Sequence, residues 1–181
     1  MANNPDIKIT DNFLAKNELD NLLSVVESGS DNSDFGWYIT NHNQKEDDPD
    51  LEPLLNKQFV HLFFHCGMGG WLSQHSPLVH PVMDRIDPFC LLRIKMNLLL
   101  NHGKPIRGQF HTDLEREEIS NTGIFYLDTT NGPTEFEDGS VCNSVMNRFV
   151  QFPSTLKHRS VSQTDTAQRR VINFNWIPIN K

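Results

Sequence analysis

Phe110-His111-Thr112-Asp113 sets an imidazole and a carboxylate two residues apart. On an extended strand, residues i and i+2 project from the same face, so His111 and Asp113 can grip one cation together. A third donor must come from elsewhere, and His158 in Lys157-His158-Arg159-Ser160 offers one, 45 residues past Asp113. Two imidazoles and one carboxylate on one face, with coordination positions left open, are the facial donor set associated with non-haem iron(II). HxD alone is a weak signal, because so short a motif recurs by chance. Taken alone, His111 reads as a satisfied strand histidine and Asp113 as a cap opening the acidic Glu115–Glu118 segment. The order of elements tips the reading toward a metal: HxD at a strand end, two hairpin-like strands, a further His, then a basic strand.

That basic strand runs from Gln168 to Trp176 and separates two faces. Arg170, Ile172, Phe174 and Trp176 share one, mostly large and apolar, which should pack into a core. Arg169, Val171, Asn173 and Asn175 share the other, which suits a wet cleft. Arg169 is therefore the cleft-facing cation, while the Arg170 stem is expected to lie over the rim with its head in water. A buried guanidinium needs a carboxylate that matches its fork, and a substrate carboxylate is the expected partner.

Other reactive side chains carry less. His61, His65 and Cys66 tempt a zinc assignment, but Cys66 leaves the face the histidines share and no second pair follows at structural-zinc spacing. They read as surface or partly buried residues. His75, His80 and His102 flank turns or helix faces. Arg93 and Lys95 are either a cleft-lining pair or a solvated strand face. Phe35-Gly36-Trp37-Tyr38 either anchors a lid, the preferred reading, or staples a loop to the core.

The elements that must position these groups are mainly β. A short strand at residues 7–9 precedes a helix from Ala15 to Glu27, whose Leu19, Leu22, Leu23 and Val26 follow one helix face. Ser28 to Asp50 reads as a long loop, with Lys45 to Asp50 a solvated turn. Phe59 to Phe64 predicts a strand, and Pro77 to Ile86 a helix with Pro77 favourably early. From residue 90 onward, strands dominate: Leu91 to Leu100, Gly123 to Asp128, Arg148 to Phe152 and Val171 to Trp176. Turn signals separate them at 101–103, 131–133, 138–139 and 153–154. Short strands at this spacing point to a sandwich or jelly roll, with the early helices covering one face.

Length and charge narrow the class further. At 181 residues, one domain is expected. The formal charge of −7, from 16 Lys+Arg against 23 Asp+Glu, argues against nucleic acid and anionic membranes as partners. No apolar stretch reaches the roughly 18 residues of a spanning helix. Three Cys without CxxC spacing, and a polar start, fit a cytoplasmic chain with reduced thiols.

Together, LLRIKMNLLL, QFHTDL, TGIFYLDTTNGPTEFEDG, NRFVQFPSTLKHRSV and RRVINFNW resemble the core of Fe(II)/2-oxoglutarate-dependent dioxygenases, in the small prolyl-4-hydroxylase-like branch of bacteria and phages. The resemblance spans about Phe59 to Trp176. It implies a double-stranded β-helix, a cupin-like jelly-roll barrel of about residues 89–178 behind a helical and looped part of about 1–88. It implies His111, Asp113 and His158 as iron ligands, and Arg169 as the residue holding the far carboxylate of 2-oxoglutarate, with Arg170 as the alternative. Asn97 or Lys95 stands where relatives carry a Tyr on the early strand that touches 2-oxoglutarate, which implies Asn97 or Lys95 as a cosubstrate contact. Gly132 to Phe136 matches a Gly-x-Thr-x-Phe hairpin that brings Thr134 near the cosubstrate. The implied activity is hydroxylation of a C–H bond in a peptidyl residue such as proline, an amino acid or a small metabolite, with dioxygen consumed and succinate and carbon dioxide released. Two rivals stay open: a cupin-like metal enzyme that does not use 2-oxoglutarate, and a jelly-roll binding module without catalysis.

Overall fold

The computed structural model describes residues 4–27, 34–41, 57–114 and 119–179. In chain order these hold β1 (Lys8–Thr10), α1 (Lys16–Glu27), β2 (Tyr38–Asn41), β3 (Lys57–His65), β4 (Gly70–Trp71), α2 (His80–Ile86) and β5 (Pro88–Leu100). There follow β6 (Asn121–Tyr126), β7 (Thr130–Phe136), β8 (Val141–Ser144), β9 (Arg148–Pro153), β10 (His158–Ser160) and β11 (Gln168–Pro178). The larger sheet runs β1-β9-β6-β11-β5-β3-β2, with β4 beside β3; the smaller runs β10-β7-β8. Every strand pair is antiparallel, and β11 lies between β5 and β6 at the centre of the larger sheet.

The two faces of the larger sheet bury different things. Ile94 and Met96 of β5, Phe125 of β6, and Ile172, Phe174 and Trp176 of β11 pack with Leu19 and Leu22 of α1 and Val82 of α2. On the opposite face, Ile124, Tyr126, Val150, Phe152 and Val171 meet Phe136 and Cys142 of the smaller sheet. The architecture is helices, large sheet, small sheet: a jelly-roll sandwich. Each fully buried apolar side chain contributes about 1.5–3 kcal/mol, against roughly 0–1 kcal/mol for an exposed ion pair. The two apolar clusters therefore hold the layers together.

Helix α1 starts where the chain reaches back on itself. Glu18, three residues into the helix, accepts from the Ala15 backbone N–H at 2.8 Å, which satisfies an otherwise orphaned donor. The same carboxylate meets Arg85 of α2 at 2.7 Å, joining the two helices.

Several expectations need correction. The expected helix from Pro77 to Ile86 is a 3-10 turn, Ser76–Val79, followed by α2. Residues 131–133 are not a turn: they lie inside β7, where the ladder to β8 is irregular between Thr130 and Thr134. Gly132 allows this, because a Cβ there would sit 2.6 Å from the Val161 carbonyl oxygen. Part of the expected loop from Ser28 to Asp50 is strand β2, paired with β3 from Tyr38↔Val60 to Asn41↔Lys57. Phe35 is buried in the helix-side core with Trp37 packed beside it, so these aromatics are a staple rather than a lid. Residues 28–33 and 42–50 of that loop, the turn at Lys45–Asp50 included, and the Glu115–Glu118 segment lie outside the described residues. Among the described residues, no helix is long and apolar enough to cross a membrane.

Candidate active site

His111 and His158 come from segments 47 positions apart in sequence, and backbone hydrogen bonding brings them side by side. Each N–H donates to the other's carbonyl at 3.0 Å. The ring centroids stand 4.9 Å apart. His158 is fixed from behind because it opens β10 and pairs with Phe136 of β7. HxD does not sit in a regular strand: His111 forms an isolated bridge at the free edge of β10. Same-face geometry nevertheless holds, and His111, Asp113 and His158 each place a ligand atom within 4.8 Å of the others.

Neighbours orient each donor. His111 Nδ1 donates to the Gln109 carbonyl at 2.9 Å, which leaves Nε2 to face Asp113 Oδ1 at 4.0 Å and selects the tautomer a metal ligand requires. Asp113 is held through Oδ2 by the side-chain amides of Asn173 and Asn175, at 3.2 and 3.1 Å. Burial alone would raise its carboxyl, but Arg93 above all, then His158, Lys95 and His111, hold it well below the usual carboxylate range. His158 packs edge-on against Phe152, and burial is the main cause that pushes its imidazole down to about 4. An ionised carboxylate beside the unprotonated His158 imidazole, with His111 alongside, is the donor chemistry that suits iron(II).

One cavity adjoins these donors, lined also by Lys95, Asn97 and Leu99 of β5, Thr134 of β7, and Arg169, Val171 and Asn173 of β11. Arg169 is 2% exposed. Its Nη2 donates to Thr134 Oγ1 at 3.2 Å, and its guanidinium carbon lies 5.6 Å from the centre of the Tyr126 ring. Tyr126, whose phenol burial pushes up, donates to the same Thr134 oxygen at 2.8 Å. The Thr134 hydroxyl accepts from both and keeps its own proton to donate. Among the described residues no carboxylate lies within ion-pair reach of Arg169, and its Nε has no hydrogen-bond partner. A buried cation in that state calls for an anion from outside the chain.

Arg170 does not have its head in water. It is 4% exposed and paired with Asp128 at 2.7 Å and Glu27 at 3.0 Å, on the face away from the cavity. Its carboxylates are already in place, which distinguishes it from Arg169. Arg93 and Lys95 belong to the cleft and not to a solvated face: Arg93 Nη2 lies 2.9 Å from Asp113 Oδ1 and Lys95 lines the cavity. Asn97 lines it too, donating to Asn173 Oδ1 at 3.3 Å. His61 is buried, with Nδ1 donating to the Gly36 carbonyl at 2.6 Å and Nε2 against Ser73 Oγ at 2.7 Å. Both its ring nitrogens are engaged, which closes the zinc reading. Sequence reasoning missed the roles of Asn173, Asn175 and Tyr126. Alternation had placed both Asn on the cleft face, and that was the available signal for them; nothing local marks Tyr126.

No family model matches the sequence, and no curated protein matches it. Solved structures do match in fold. An oxidoreductase of the 2OG-Fe(II) oxygenase family from Burkholderia pseudomallei superposes with a TM-score of 0.67 at 11% identity, covering 94% of this chain and 85% of that one. A prolyl hydroxylase from Trichoplax adhaerens, solved with a hypoxia inducible factor peptide fragment, gives 0.63 at 12% identity, covering 96% and 84%. The viral collagen prolyl hydroxylase of Paramecium Bursaria Chlorella virus-1, solved as a 2OG complex, gives 0.59 at 13% identity, covering 97% of each chain.

Proposed function

We propose, on the fold shared with the 2OG-Fe(II) oxygenases, that this chain is an Fe(II)- and 2-oxoglutarate-dependent hydroxylase with His111, Asp113 and His158 as its iron ligands. The observation that carries the reading is Arg169, a buried cation that no carboxylate among the described residues pairs, in the cavity that the three donors border. A metal enzyme that does not use 2-oxoglutarate has no need of it, and the three donors grouped beside it are what a binding module without metal would not require. When bound, iron(II) with 2-oxoglutarate and dioxygen supplies the oxidising power to hydroxylate a C–H bond, with succinate and carbon dioxide released.

The protein's part is positioning. Arg169 takes the far carboxylate of 2-oxoglutarate in charge-assisted hydrogen bonds, with Thr134 adding its hydroxyl. Asn173 and Asn175 fix the Asp113 carboxylate, and the Gln109 carbonyl fixes the His111 ring. The apolar contacts of His158 keep its nitrogen unprotonated at neutral pH. The substrate class is a peptidyl residue, proline among them, an amino acid or another small metabolite, as the prolyl hydroxylases with this fold suggest.

The test is spectroscopic. Apoprotein mixed anaerobically with Fe(II) and 2-oxoglutarate should develop the visible charge-transfer band of the chelate. His111→Ala and Asp113→Ala should abolish it. Arg169→Ala should weaken 2-oxoglutarate binding about tenfold or more, as loss of a charge-assisted bond implies, while Fe(II) binding persists. A folded wild type without the band refutes the cosubstrate, and a band unaltered in both ligand variants refutes the ligand assignment.

A further inference from the structure

β5 carries a second group of cations, apart from Arg169 of β11. Arg93 and Lys95 stand two residues apart on its cavity side, opposite Asn175 and Asn173 of β11. Those two amides hold Asp113, so both cations lie at the metal-ligand end. Arg169 pairs instead with Leu99. Lys95 and Leu99 are four residues apart, which is roughly 13 Å of strand. The cavity therefore has a cationic pole at each end.

The two cations at the near pole differ in what they still have to offer. Arg93 is engaged: Nε donates to Asn175 Oδ1 at 3.1 Å and Nη2 meets Asp113 at 2.9 Å. Lys95 lines the cavity, yet among the described residues its amine has no hydrogen-bond acceptor and no carboxylate within reach. Burial first, and Arg93 next, push that amine down to about 8, against the pull of Asp113. Lys95 is half-buried, and an ammonium that lines a cavity beside a guanidinium, with no carboxylate among the described residues paired to it, is a ready receiver for an anionic group.

Charge matching narrows the ligand. The two positive charges of iron(II) and the one on Arg169 cancel the charges of Asp113 and a 2-oxoglutarate dianion. Arg93 and Lys95 are left over as positive charge beside a partly sheltered cavity, where opposite charges attract more strongly than in bulk water. Arg93 lies against Asp113 and is not part of the cavity lining, whereas Lys95 is, so the group that meets a ligand there is one ammonium, and a carboxylate matches it.

We propose that the substrate carries a carboxylate and that Lys95 receives it, with Arg93 at its flank; this rests on the hydroxylase reading above. The group could come from a free amino acid or from an acidic side chain of a peptide, since both present the same oxygens.

The experiment titrates the anaerobic protein·Fe(II)·2-oxoglutarate complex with acetate and with acetamide, its neutral isostere, at constant ionic strength, following the charge-transfer band. Acetate should perturb the band saturably and acetamide should not. Lys95→Met, which keeps the side chain's bulk, should weaken the acetate response about tenfold or more, and Lys95→Arg should restore it. Glycine and N-acetyl-aspartic acid α-amide then identify the source, by which of them competes with acetate more strongly. Acetate and acetamide acting alike, or a Met variant that responds like wild type, overturns the proposal and leaves the hydroxylase reading intact. A Met variant that loses 2-oxoglutarate itself places Lys95 on the cosubstrate and likewise overturns it. Absence of the band in wild type removes the hydroxylase reading and this inference with it.

Discussion

His158 is 3% exposed, and its imidazole is pushed from the ordinary 6.5 down to about 4, by burial first and by His111 beside it, against the pull of Asp113. Between these two values the unfolded chain binds a proton that the folded chain refuses, so stability rises with pH across that window. Above pH 6.5 the effect is absent. Asp113, held low by Arg93 and its other cations, adds a loss of stability below its ordinary value of 3.8. Chelator-treated protein should therefore lose roughly 3 kcal/mol through His158 between pH 6.5 and 4. His158→Gln should flatten the dependence of Tm on pH in that interval. An unchanged slope would show that another group titrates there.

Close packing of backbone makes two glycines unequal. A Cβ on Gly123 of β6 would lie 2.3 Å from Phe149 Cζ and 3.0 Å from Trp176 Cζ3, both side chains of the helix-side core. At Gly132 of β7 the obstacles are the Val161 carbonyl oxygen at 2.6 Å and the Gln163 nitrogen at 2.9 Å, which cannot rotate away. Gly123→Ala should lower stability by about 1–3 kcal/mol and leave 2-oxoglutarate binding unaltered. Gly132→Ala must shift β7 against the 161–163 segment, just past β10, which pairs Ser160 with Thr134. It should lower both the Tm and 2-oxoglutarate affinity, which thermal melts and band titrations read separately. Equal behaviour of the two variants would show that the β7–β10 contact does not set the cavity.

The helix layer is tied to the larger sheet by an ion cluster around the buried Arg170. Arg170 of β11 meets Asp128, just past β6, and Glu27 at the end of α1, so one guanidinium joins the central strand, the strand connection and the helix layer. Asp128 also accepts from the Arg170 backbone N–H at 2.6 Å. Arg170→Ala leaves Asp128 partly buried and short of a partner, and should cost about 2–4 kcal/mol. The protein that stays folded should bind 2-oxoglutarate as wild type does, which separates Arg170 from its neighbour Arg169 in a single comparison of melts and titrations. Loss of cosubstrate binding in Arg170→Ala at full stability would reverse that assignment. At this scale the acidity also finds a counterpart, for the chain carries −7 overall while its cavity gathers Lys95 and Arg169, with Arg93 beside Asp113.

Period-2 alternation determined by itself that β11 is a strand and which of its faces is wet, because that pattern depends only on neighbours along the chain. It separated Arg169 from Arg170 and put Asn173 and Asn175 on the cleft side before any contact was known. Residue type and spacing nominated His111, Asp113 and His158. What alternation does not contain is partnership across the chain. The bridge between His111 and His158, the hold of both Asn on Asp113, and the support of Tyr126 for Thr134 and Arg169 exist only once the strands pair. The strand through Gly132 was misread as a turn for the same reason: Gly and Pro report local freedom, while the approach of a distant backbone decides how that freedom is used. The charge state of the site was also a tertiary matter. Arg93 and Lys95 gain their meaning from burial beside Asp113, which no count of charges along the chain reveals.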